Sequence, residues 1–245
     1  MVIGLHGIPG SGKNVIATHE ALKKFKRENV IIKRVIRTIL HQPTLINNVY
    51  STYPIRLKHY FKWQKKEDIY TNRVTIYDLI PSNRFLPRAK IIIDETQAFW
   101  DSEEYKDFPK EIAVFNQFHR HFDIEDIIYI TQHPSRLLKK LGVLCSEFDR
   151  VKMFLKLPLL PIGFAHIVQY FERDDYGKYN HPKKEAKTYD VKNKYILFNA
   201  SKVFKSYKSK YLQVLNIDSP LYDRGTFTNL YMSKEEIKYI YRDKI

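Results

Sequence analysis

The stretch VIGLHGIPGSGKN, residues 2–14, decides the fold prediction for this chain. Residues 2–6 are mostly apolar and predict a short buried strand, and apolar residues then recur at helical spacing over residues 13–28. The segment between them fits the phosphate-binding pattern G-x-x-x-x-G-K-[ST] everywhere except at the last position, which is Asn14. The order of strand, glycine-rich turn, lysine and helix therefore predicts a nucleotide-binding loop.

The glycine content of this loop supports the same prediction. The chain has eight glycines, and four of them fall within its first twelve residues. A phosphate-binding loop needs glycine where the backbone approaches the phosphate or adopts positive φ, and the next helix offers its positive end. We expect Lys13 to reach the β and γ phosphates. The predicted nucleotide-binding residues are Gly7, Ile8, Pro9, Gly10, Ser11, Gly12, Lys13 and Asn14. An ordinary glycine-rich connection between a strand and a helix is the alternative.

Asn14 stands where the pattern has a serine or threonine, whose hydroxyl ligates Mg²⁺. An asparagine amide oxygen can also ligate a hard cation, although it is larger and differently placed. Two hypotheses stay open. If Asn14 weakens the metal site, Asn14→Thr should raise ATP turnover, and the sequence favours this outcome. If the site has accommodated the amide, the same change should lower turnover.

Two further predicted strands end in polar residues. The strand predicted over residues 89–95 ends in Asp94 and Glu95, and the one predicted over residues 127–132 ends in Gln132. The carboxyl ends of parallel strands form the ligand-binding edge of an α/β sheet. At that edge we expect Asp94 to hold Mg²⁺ through water and Glu95 to act as general base for the attacking water. We expect Gln132 to lie near the γ-phosphate or that water. Ordinary strand ends that expose polar residues are the alternative.

The rest of the chain alternates between helix and strand patterns, which predicts a mostly parallel sheet flanked by helices. We therefore predict an α/β fold, with a P-loop ATPase domain over residues 1–170. Residues 171–245 are rich in lysine and tyrosine and predict a small basic, β-rich C-terminal extension. The further predicted elements are helices over 30–40 (or a continuation of the first helix past Asn29), 110–122 and 135–141, and β structure over 47–55 and 151–155.

The charge and cysteine content restrict the partners and the compartment. A net charge of +15 and a pI near 9.6 favour an anionic partner, with an ordinary basic globular protein as the alternative. A single cysteine, Cys145, excludes an internal disulfide framework and fits a reducing compartment. No stretch is apolar and long enough for a transmembrane helix, so we expect none in this chain.

Lysines and aromatic residues are interleaved over residues 183–211. Lysines suit phosphates and aromatic rings suit stacked bases, which is the combination used to bind single-stranded nucleic acid. A small β extension with a solvated charged face explains the pattern equally well. Anionic lipid headgroups are a third candidate for the same charge.

Several motifs together resemble a known family. GIPGSGK, IIIDETQAFW and FHRHFDIEDIIYITQHP follow in the order and spacing of the zonula occludens toxin-like ATPases, and VFKSYKSKY resembles a motif that follows the ATPase core. The family is similar to the assembly ATPases of filamentous phages and looks related to the FtsK/HerA class of DNA-pumping motors. The resemblance covers roughly residues 1–211. It gives the Walker A role to residues 7–14, the Walker B role to Asp94 and Glu95, and the role of the strand-end glutamine to Gln132.

The resemblance implies a protein that uses ATP and Mg²⁺ to drive virion assembly or DNA extrusion at the cytoplasmic face of the host membrane. It also implies a homo-oligomer, with single-stranded DNA and a phage coat or membrane-channel protein as partners. The sequence departs from the family at Asn14, and it shows no membrane-spanning helix of the kind that usually follows the ATPase domain. An ATP-dependent binding scaffold with little turnover and a P-loop kinase of small molecules are the alternative functions.

Overall fold

A computed structural model describes residues 1–58, 68–74, 78–79, 85–96, 110–133, 139–142, 144–157, 160–170 and 192–207. The strands within these residues are β1 (Val2–His6), β2 (Val49–Ser51), β3 (Arg56–Lys58), β4 (Asp68–Tyr70), β5 (Asn72–Arg73), β6 (Ala89–Ile93), β7 (Ile124–Thr131), β8 (Glu147–Lys156), β9 (Ile162–Tyr170) and β10 (Lys192–Asn199). The helices are α1 (Lys13–Glu28), α2 (Ile31–Ile39), α3 (Lys110–Gln117), α4 (Lys139–Gly142) and α5 (Ala200–Phe204).

Eight strands form one sheet in the order β10-β9-β8-β1-β7-β6-β2-β5. The pairs from β8 through β1, β7, β6 and β2 to β5 are all parallel, whereas β9 is antiparallel to both β8 and β10. Strands β3 and β4 form a separate antiparallel pair. The sheet is therefore mostly parallel, and the predicted α/β class is confirmed.

Helices cover both faces of the parallel strands, which explains why β6 is a continuous run of buried residues. Ile91 and Ile93 pack in the same core cluster as Phe115 of α3. Ile92 points to the opposite face and shares the cluster of α1. The α1 residues in that cluster are Val15, Ile16, Ala17, Ala21, Leu22 and Phe25.

Asn29 ends α1, and so determines whether the helix predicted over residues 30–40 is separate or continues α1. Its backbone N–H donates to the carbonyls of Phe25 and Lys26, and its side-chain amide donates to Phe25 and Ile46. The Ile46 N–H returns a hydrogen bond to the Asn29 amide oxygen at 2.9 Å. This local bonding competes with helix continuation, so α2 is a separate helix.

Several predicted element ends need correction. The strand expected to reach Glu95 ends at Ile93, because the Asp94 side chain accepts a hydrogen bond from the Glu95 N–H at 2.9 Å and Glu95 adopts φ +48°. The strand expected to end in Gln132 ends one residue earlier and starts three residues earlier, at Ile124. The strand predicted over 151–155 extends over the ten residues of β8.

The helix predicted over 110–122 ends at Gln117, and residues 118–123 form turns. The ring Nδ1 of His119 hydrogen-bonds the Asn116 carbonyl at 2.8 Å, and the His119 carbonyl accepts the N–H of Ile124. These bonds satisfy the helix end and lead the chain directly into β7.

The carboxyl-terminal part of the chain is described only over residues 192–207. There β10 pairs along its whole length with β9 and so completes the main sheet. The boundary predicted near residue 170 stays a prediction. Residues 135–138 of the predicted helix 135–141 lie outside the described residues, as do residues 183–191 and 208–211 of the lysine- and aromatic-rich region. Within the described parts of the chain, no helix has both the length and the apolar character needed to cross a membrane.

Candidate functional site

The loop between β1 and α1 requires glycine at two positions. Gly12 directly precedes α1 in the left-handed region, with φ +94°, and a Cβ there would lie 2.9 Å from atoms of Phe154 on β8. A Cβ at Gly7 would lie 2.9 Å from the carbonyl oxygen of Val151. Strand β8 therefore packs directly against the loop and fixes its course, while the Ser11 N–H closes the turn on the Ile8 carbonyl.

Lys13 places its ammonium group inside the loop. The Nζ atom donates to the carbonyl oxygens of Gly7, at 2.7 Å, and Ile8, at 3.2 Å. Burial lowers the pKa of Lys13, and the negative charges of Glu95 and Asp94 oppose that shift. The lysine therefore lies between the loop carbonyls and the two acids, where an anionic ligand would offset its desolvation.

Asn14 and Asp94 are in direct contact, although 80 residues separate them in sequence. The Asn14 Nδ2 donates to Asp94 Oδ2 at 2.6 Å, which joins the start of α1 to the end of β6. Asp94 is only 3% exposed, and its own N–H donates to the Thr52 hydroxyl. Burial raises the pKa of Asp94 to about 6, against the hydrogen bond from Asn14. The carboxylate is thus held by two hydrogen bonds, from the Asn14 amide and from the Glu95 N–H, while Thr52 holds the Asp94 backbone.

Glu95 and Gln132 lie at the same edge of the sheet as the loop. Strand β7 runs between β1 and β6, with Thr131 opposite His6 and Tyr129 opposite Ile93. Gln132 therefore follows β7 between the loop and the Asp94–Glu95 pair. Glu95 is half-buried, and its charge acts on Lys13.

Four polar residues around the site were not predicted from the sequence. Thr52 accepts the Asp94 N–H, and the Tyr53 hydroxyl contacts both the Asn14 carbonyl, at 3.4 Å, and the Thr18 hydroxyl, at 3.3 Å. Thr52 and Tyr53 directly follow β2, which ends at Ser51, but the β structure predicted over 47–55 runs past that end, so the carboxyl-edge rule applied to β6 and β7 did not reach them. The fourth residue, Tyr207, gave no such signal.

Tyr207 brings the end of the described chain to this site. Its ring lies 6.1 Å from that of Tyr53, edge to face, and the neighbouring Ser206 carbonyl accepts the Arg56 N–H. Burial, and then the charge of Asp94, raise the pKa of Tyr207 to about 12. The segment after α5 therefore packs beside the acid at the end of β6.

The donor set at this edge suits a nucleotide with a divalent cation. Asn14 supplies an amide and Asp94 a carboxylate, and Mg²⁺ prefers oxygen ligands completed by water and substrate phosphates. Because Asp94 accepts a hydrogen bond from the Asn14 Nδ2, the amide oxygen of Asn14 is left for a cation. The residues present therefore fit Mg²⁺.

A model of the zonular occludens toxin (Zot) family matches residues 1–213 of the chain. The chain belongs to the Zot family. This match confirms the resemblance that the sequence motifs indicated, over almost the same residues. None of the curated protein sequences compared with the chain matches it.

Two solved structures are similar to the chain. The N-terminal domain of zonular occludens toxin from Neisseria meningitidis is 15% identical, with a TM-score of 0.50, over 84% of this chain and 98% of that one. The genome packaging NTPase B204 from Sulfolobus turreted icosahedral virus 2, in complex with ATP-gammaS, is 12% identical with a TM-score of 0.40, over 78% of this chain and 95% of that one. At 15% identity, the first likeness shows that this Zot-family chain shares its fold.

Proposed function

We propose that this Zot-family protein binds and hydrolyses ATP at residues 7–14 and the strand ends beside them. The contact between Asn14 and Asp94 carries the proposal, because it joins the glycine-rich loop to an acid-bearing strand end 80 residues away. A lysine inside the loop and two acids at its edge complete the set that nucleotide hydrolysis requires.

Binding uses the loop and Lys13. The backbone N–H groups of the loop and the positive end of α1 attract the phosphates. The Lys13 ammonium exchanges the Gly7 and Ile8 carbonyls for the β and γ phosphate oxygens. Because burial has already weakened its hydration, the lysine gains more from an anionic partner than an exposed lysine would.

Asn14 and Asp94 would hold Mg²⁺, the first through its amide oxygen and the second through its carboxylate. When bound, Mg²⁺ neutralises charge on the phosphates. The Asn14 amide donates to Asp94 through Nδ2 and offers its oxygen to the cation. The hydroxyl of the usual serine or threonine can likewise donate a hydrogen bond and offer its oxygen as a ligand. This double use supports Asn14 as a substitute for that hydroxyl.

Hydrolysis uses Glu95 and Gln132. Glu95 accepts a proton from the attacking water, and Gln132 orients that water. Their places at the carboxyl ends of the neighbouring strands β6 and β7, at the same edge of the sheet as the loop after β1, support these roles. The left-handed conformation of Glu95, φ +48°, is of the kind that persists at functional sites.

At the biological level, we propose that ATP turnover drives phage assembly or DNA extrusion at the cytoplasmic face of the host membrane. Membership of the Zot family supports this role, and the net charge of +15 supports single-stranded DNA as the polymer handled. A homo-oligomer and a coat or membrane-channel protein are the further partners proposed. Little turnover would indicate an ATP-dependent scaffold instead, and dependence on a small acceptor would indicate a kinase.

Steady-state phosphate release, measured with and without single-stranded DNA, tests the proposal. We expect Lys13→Ala to abolish ATP binding and Glu95→Gln to preserve binding while slowing release by about 10²–10⁴-fold. Glu111→Gln serves as a matched control for Glu95→Gln, since it makes the same change at an exposed position on α3 and should leave ATP binding and phosphate release unchanged. Unchanged ATP affinity in Lys13→Ala would contradict the assignment of the loop, and wild-type turnover in Glu95→Gln would place the base elsewhere.

A further inference from the structure

Helix α2 carries its polar and apolar faces the opposite way round from an ordinary surface helix. Its basic residues turn toward the protein, whereas its aliphatic side chains face outward. The exposed fractions of those aliphatic side chains range from 40% to 73%. They are Val30, Ile31, Ile32, Val35, Ile36, Ile39 and Leu40. At 100° per residue, positions 31, 32, 35, 36 and 39 fall within one arc of the helix, which makes one continuous apolar stripe.

The inward face of α2 is held by the buried carboxylate at the end of α1. Glu28 forms ion pairs with Lys33, at 3.4 Å, and with Arg37, at 3.9 Å. Arg34, between them, is buried. These contacts fix the rotation of α2, so the exposure of the stripe follows from ion pairing on the opposite face. A rotation that buried the stripe would separate Glu28 from Lys33 and Arg37.

The charge around the stripe identifies what covers it. Beside α2, five cations lie within 4.0 Å of Glu28, and three of them share Glu125 as their second acid, so positive charge exceeds negative charge there; the five are Lys24, Arg27, Lys33, Arg37 and Arg88. Glu28, the nearest acid, is already paired with Lys24, Lys33 and Arg37. A second copy of this chain would bring the same positive charge to the contact. An anionic bilayer supplies both an apolar layer and complementary charge.

We propose that α2 lies in the interface of an anionic phospholipid bilayer, with the stripe from Val30 to Leu40 among the acyl chains. Interfacial helices of this kind bind through apolar area together with electrostatic attraction. An exposed stripe of seven large aliphatic side chains exceeds what single surface residues explain. The partner is therefore a membrane surface, independent of whether the nucleotide site turns over ATP.

The position of α2 leaves the nucleotide site accessible. Helix α1 starts at the carboxyl edge of the sheet and ends beside Glu125 at the start of β7, which is the opposite edge. At 1.5 Å per residue, its sixteen residues separate the loop from α2 by about 24 Å. A bilayer under α2 would thus contact the amino edge of the sheet and leave the loop free.

Co-sedimentation of the full chain with vesicles tests this proposal. The vesicles contain either equal parts of phosphatidylcholine and phosphatidylglycerol or phosphatidylcholine alone. We expect binding to the anionic vesicles, and a loss of about tenfold or more for Ile32→Glu and for Ile39→Glu, since each removes an exposed aliphatic side chain that the bilayer would bury. Leu197→Glu is the matched control, because Leu197 is 71% exposed on β10 and far from α2 in sequence; it should bind as the wild type does.

Circular dichroism and thermal unfolding show whether each variant keeps its fold, which exposed positions should allow. Absence of vesicle binding by the wild type overturns the proposal, as does equal loss in the Leu197→Glu control. Equal binding to the neutral vesicles overturns the choice of anionic lipid. If the two α2 variants instead lose a self-associated state by light scattering while vesicle binding persists, the stripe is a contact between copies and the proposal fails.

Discussion

At the scale of single residues, Asn14 carries the question that the sequence raised about the metal site. Its Nδ2 reaches Asp94 at 2.6 Å, and the contact favours an accommodated amide over a weakened site. A threonine hydroxyl lies about one bond nearer the backbone, so Asn14→Thr would open this contact. We expect ATP turnover to fall and the Mg²⁺ concentration for half-maximal rate to rise by about tenfold, as for a lost bond to a charged group.

A Mg²⁺ titration of ATP hydrolysis on the wild type and Asn14→Thr decides the matter, with Asn14→Ala as the control that removes both functions of the amide. Asn14→Ala should be at least as impaired as Asn14→Thr. Higher turnover in Asn14→Thr would restore the hypothesis of a weakened metal ligand. An unchanged Mg²⁺ requirement in both variants would mean that position 14 does not bear on the metal.

The buried carboxyl of Asp94 predicts an acid limb in the pH profile. Burial raises the pKa of Asp94 to about 6, and the hydrogen bond from Asn14 works in the other direction. Only the ionised carboxylate can both accept from Asn14 and hold a cation. We therefore expect kcat/KM for ATP, which reports the free enzyme, to fall as the pH drops from 7 to 5.

Two variants show whether Asp94 or another acid of similar pKa causes the fall of kcat/KM at low pH. Asn14→Ala removes a hydrogen bond that lowers the pKa of Asp94, so its limb should move to higher pH. Burial also raises the pKa of Asp149, on β8, to about 6, and Asp149→Asn should leave the limb in place. If Asp149→Asn shifts the acid limb and Asn14→Ala does not, the assignment of the limb to Asp94 is wrong.

At the scale of elements, the packing of β8 against the loop makes alanine more disruptive at one loop glycine than at another. Gly12 and Gly10 both have positive φ, at +94° and +79°, so alanine at either position costs about 1–2 kcal/mol in backbone strain. A Cβ at Gly12 also meets Phe154 at 2.9 Å, whereas one at Gly10 meets no atom within 4 Å. We expect Gly12→Ala to weaken ATP binding at least tenfold more than Gly10→Ala does, measured by titration calorimetry.

Equal losses in the two variants would mean that backbone strain alone sets the effect and that β8 does not constrain the loop. Gly12→Ala combined with Phe154→Ala gives a further check. Removing the ring removes the atoms that the new Cβ would meet, so part of the lost affinity should return.

The elements that could be predicted are those with strong local signals. The strand–loop–helix unit and the apolar run of β6 are continuous in sequence, and both lie where they were expected. The ends of β6 and β7 could not be placed, because they depend on hydrogen bonds such as that from the Glu95 N–H to Asp94. Strands β3, β4 and β5 are two or three residues long and carry no periodicity that could have indicated them.

At the scale of the whole molecule, long-range pairing was the least predictable feature. Residues 192–199 have the charged composition of a separate extension, yet they form β10 at the edge of the main sheet. Tyr207 likewise lies beside Tyr53 and the charge of Asp94, more than 100 residues away in sequence. Such contacts depend on the assembled sheet and leave no local pattern in the sequence.

An ion-pair network at the amino edge of the sheet ties α1 to the start of β7. The Lys24 side chain is fully buried and bonds Glu125 at 2.5 Å and Glu28 at 3.1 Å, while Arg27 also bonds Glu125. Burial raises the pKa of Glu125, but the hydrogen bonds from Arg27 and Lys24 outweigh it and lower the value from 4.5 to about 2. The network therefore contributes stability only while this carboxylate is ionised.

The lowered pKa of Glu125 determines how the stability of the folded protein changes with pH. A carboxylate whose pKa is depressed by folding stabilises the folded state above its ordinary pKa, and that contribution disappears as the pH falls through the folded value. For Glu125 the loss should occur between about pH 4.5 and pH 2.

We expect Glu125→Gln to lower the free energy of unfolding by about 1–3 kcal/mol at pH 7, since it leaves the buried Lys24 one partner short. Urea unfolding at pH 7, 4.5 and 3 measures both effects. The penalty should shrink toward pH 3, because the carboxylate is then protonated in the unfolded wild-type chain but still mostly ionised in the folded one. Glu111→Gln, at an exposed position on α3, serves as the control and should change stability little at any of these values. A Glu125→Gln penalty that stays constant from pH 7 to pH 3 would show that the network stabilises through packing rather than through the charge of Glu125.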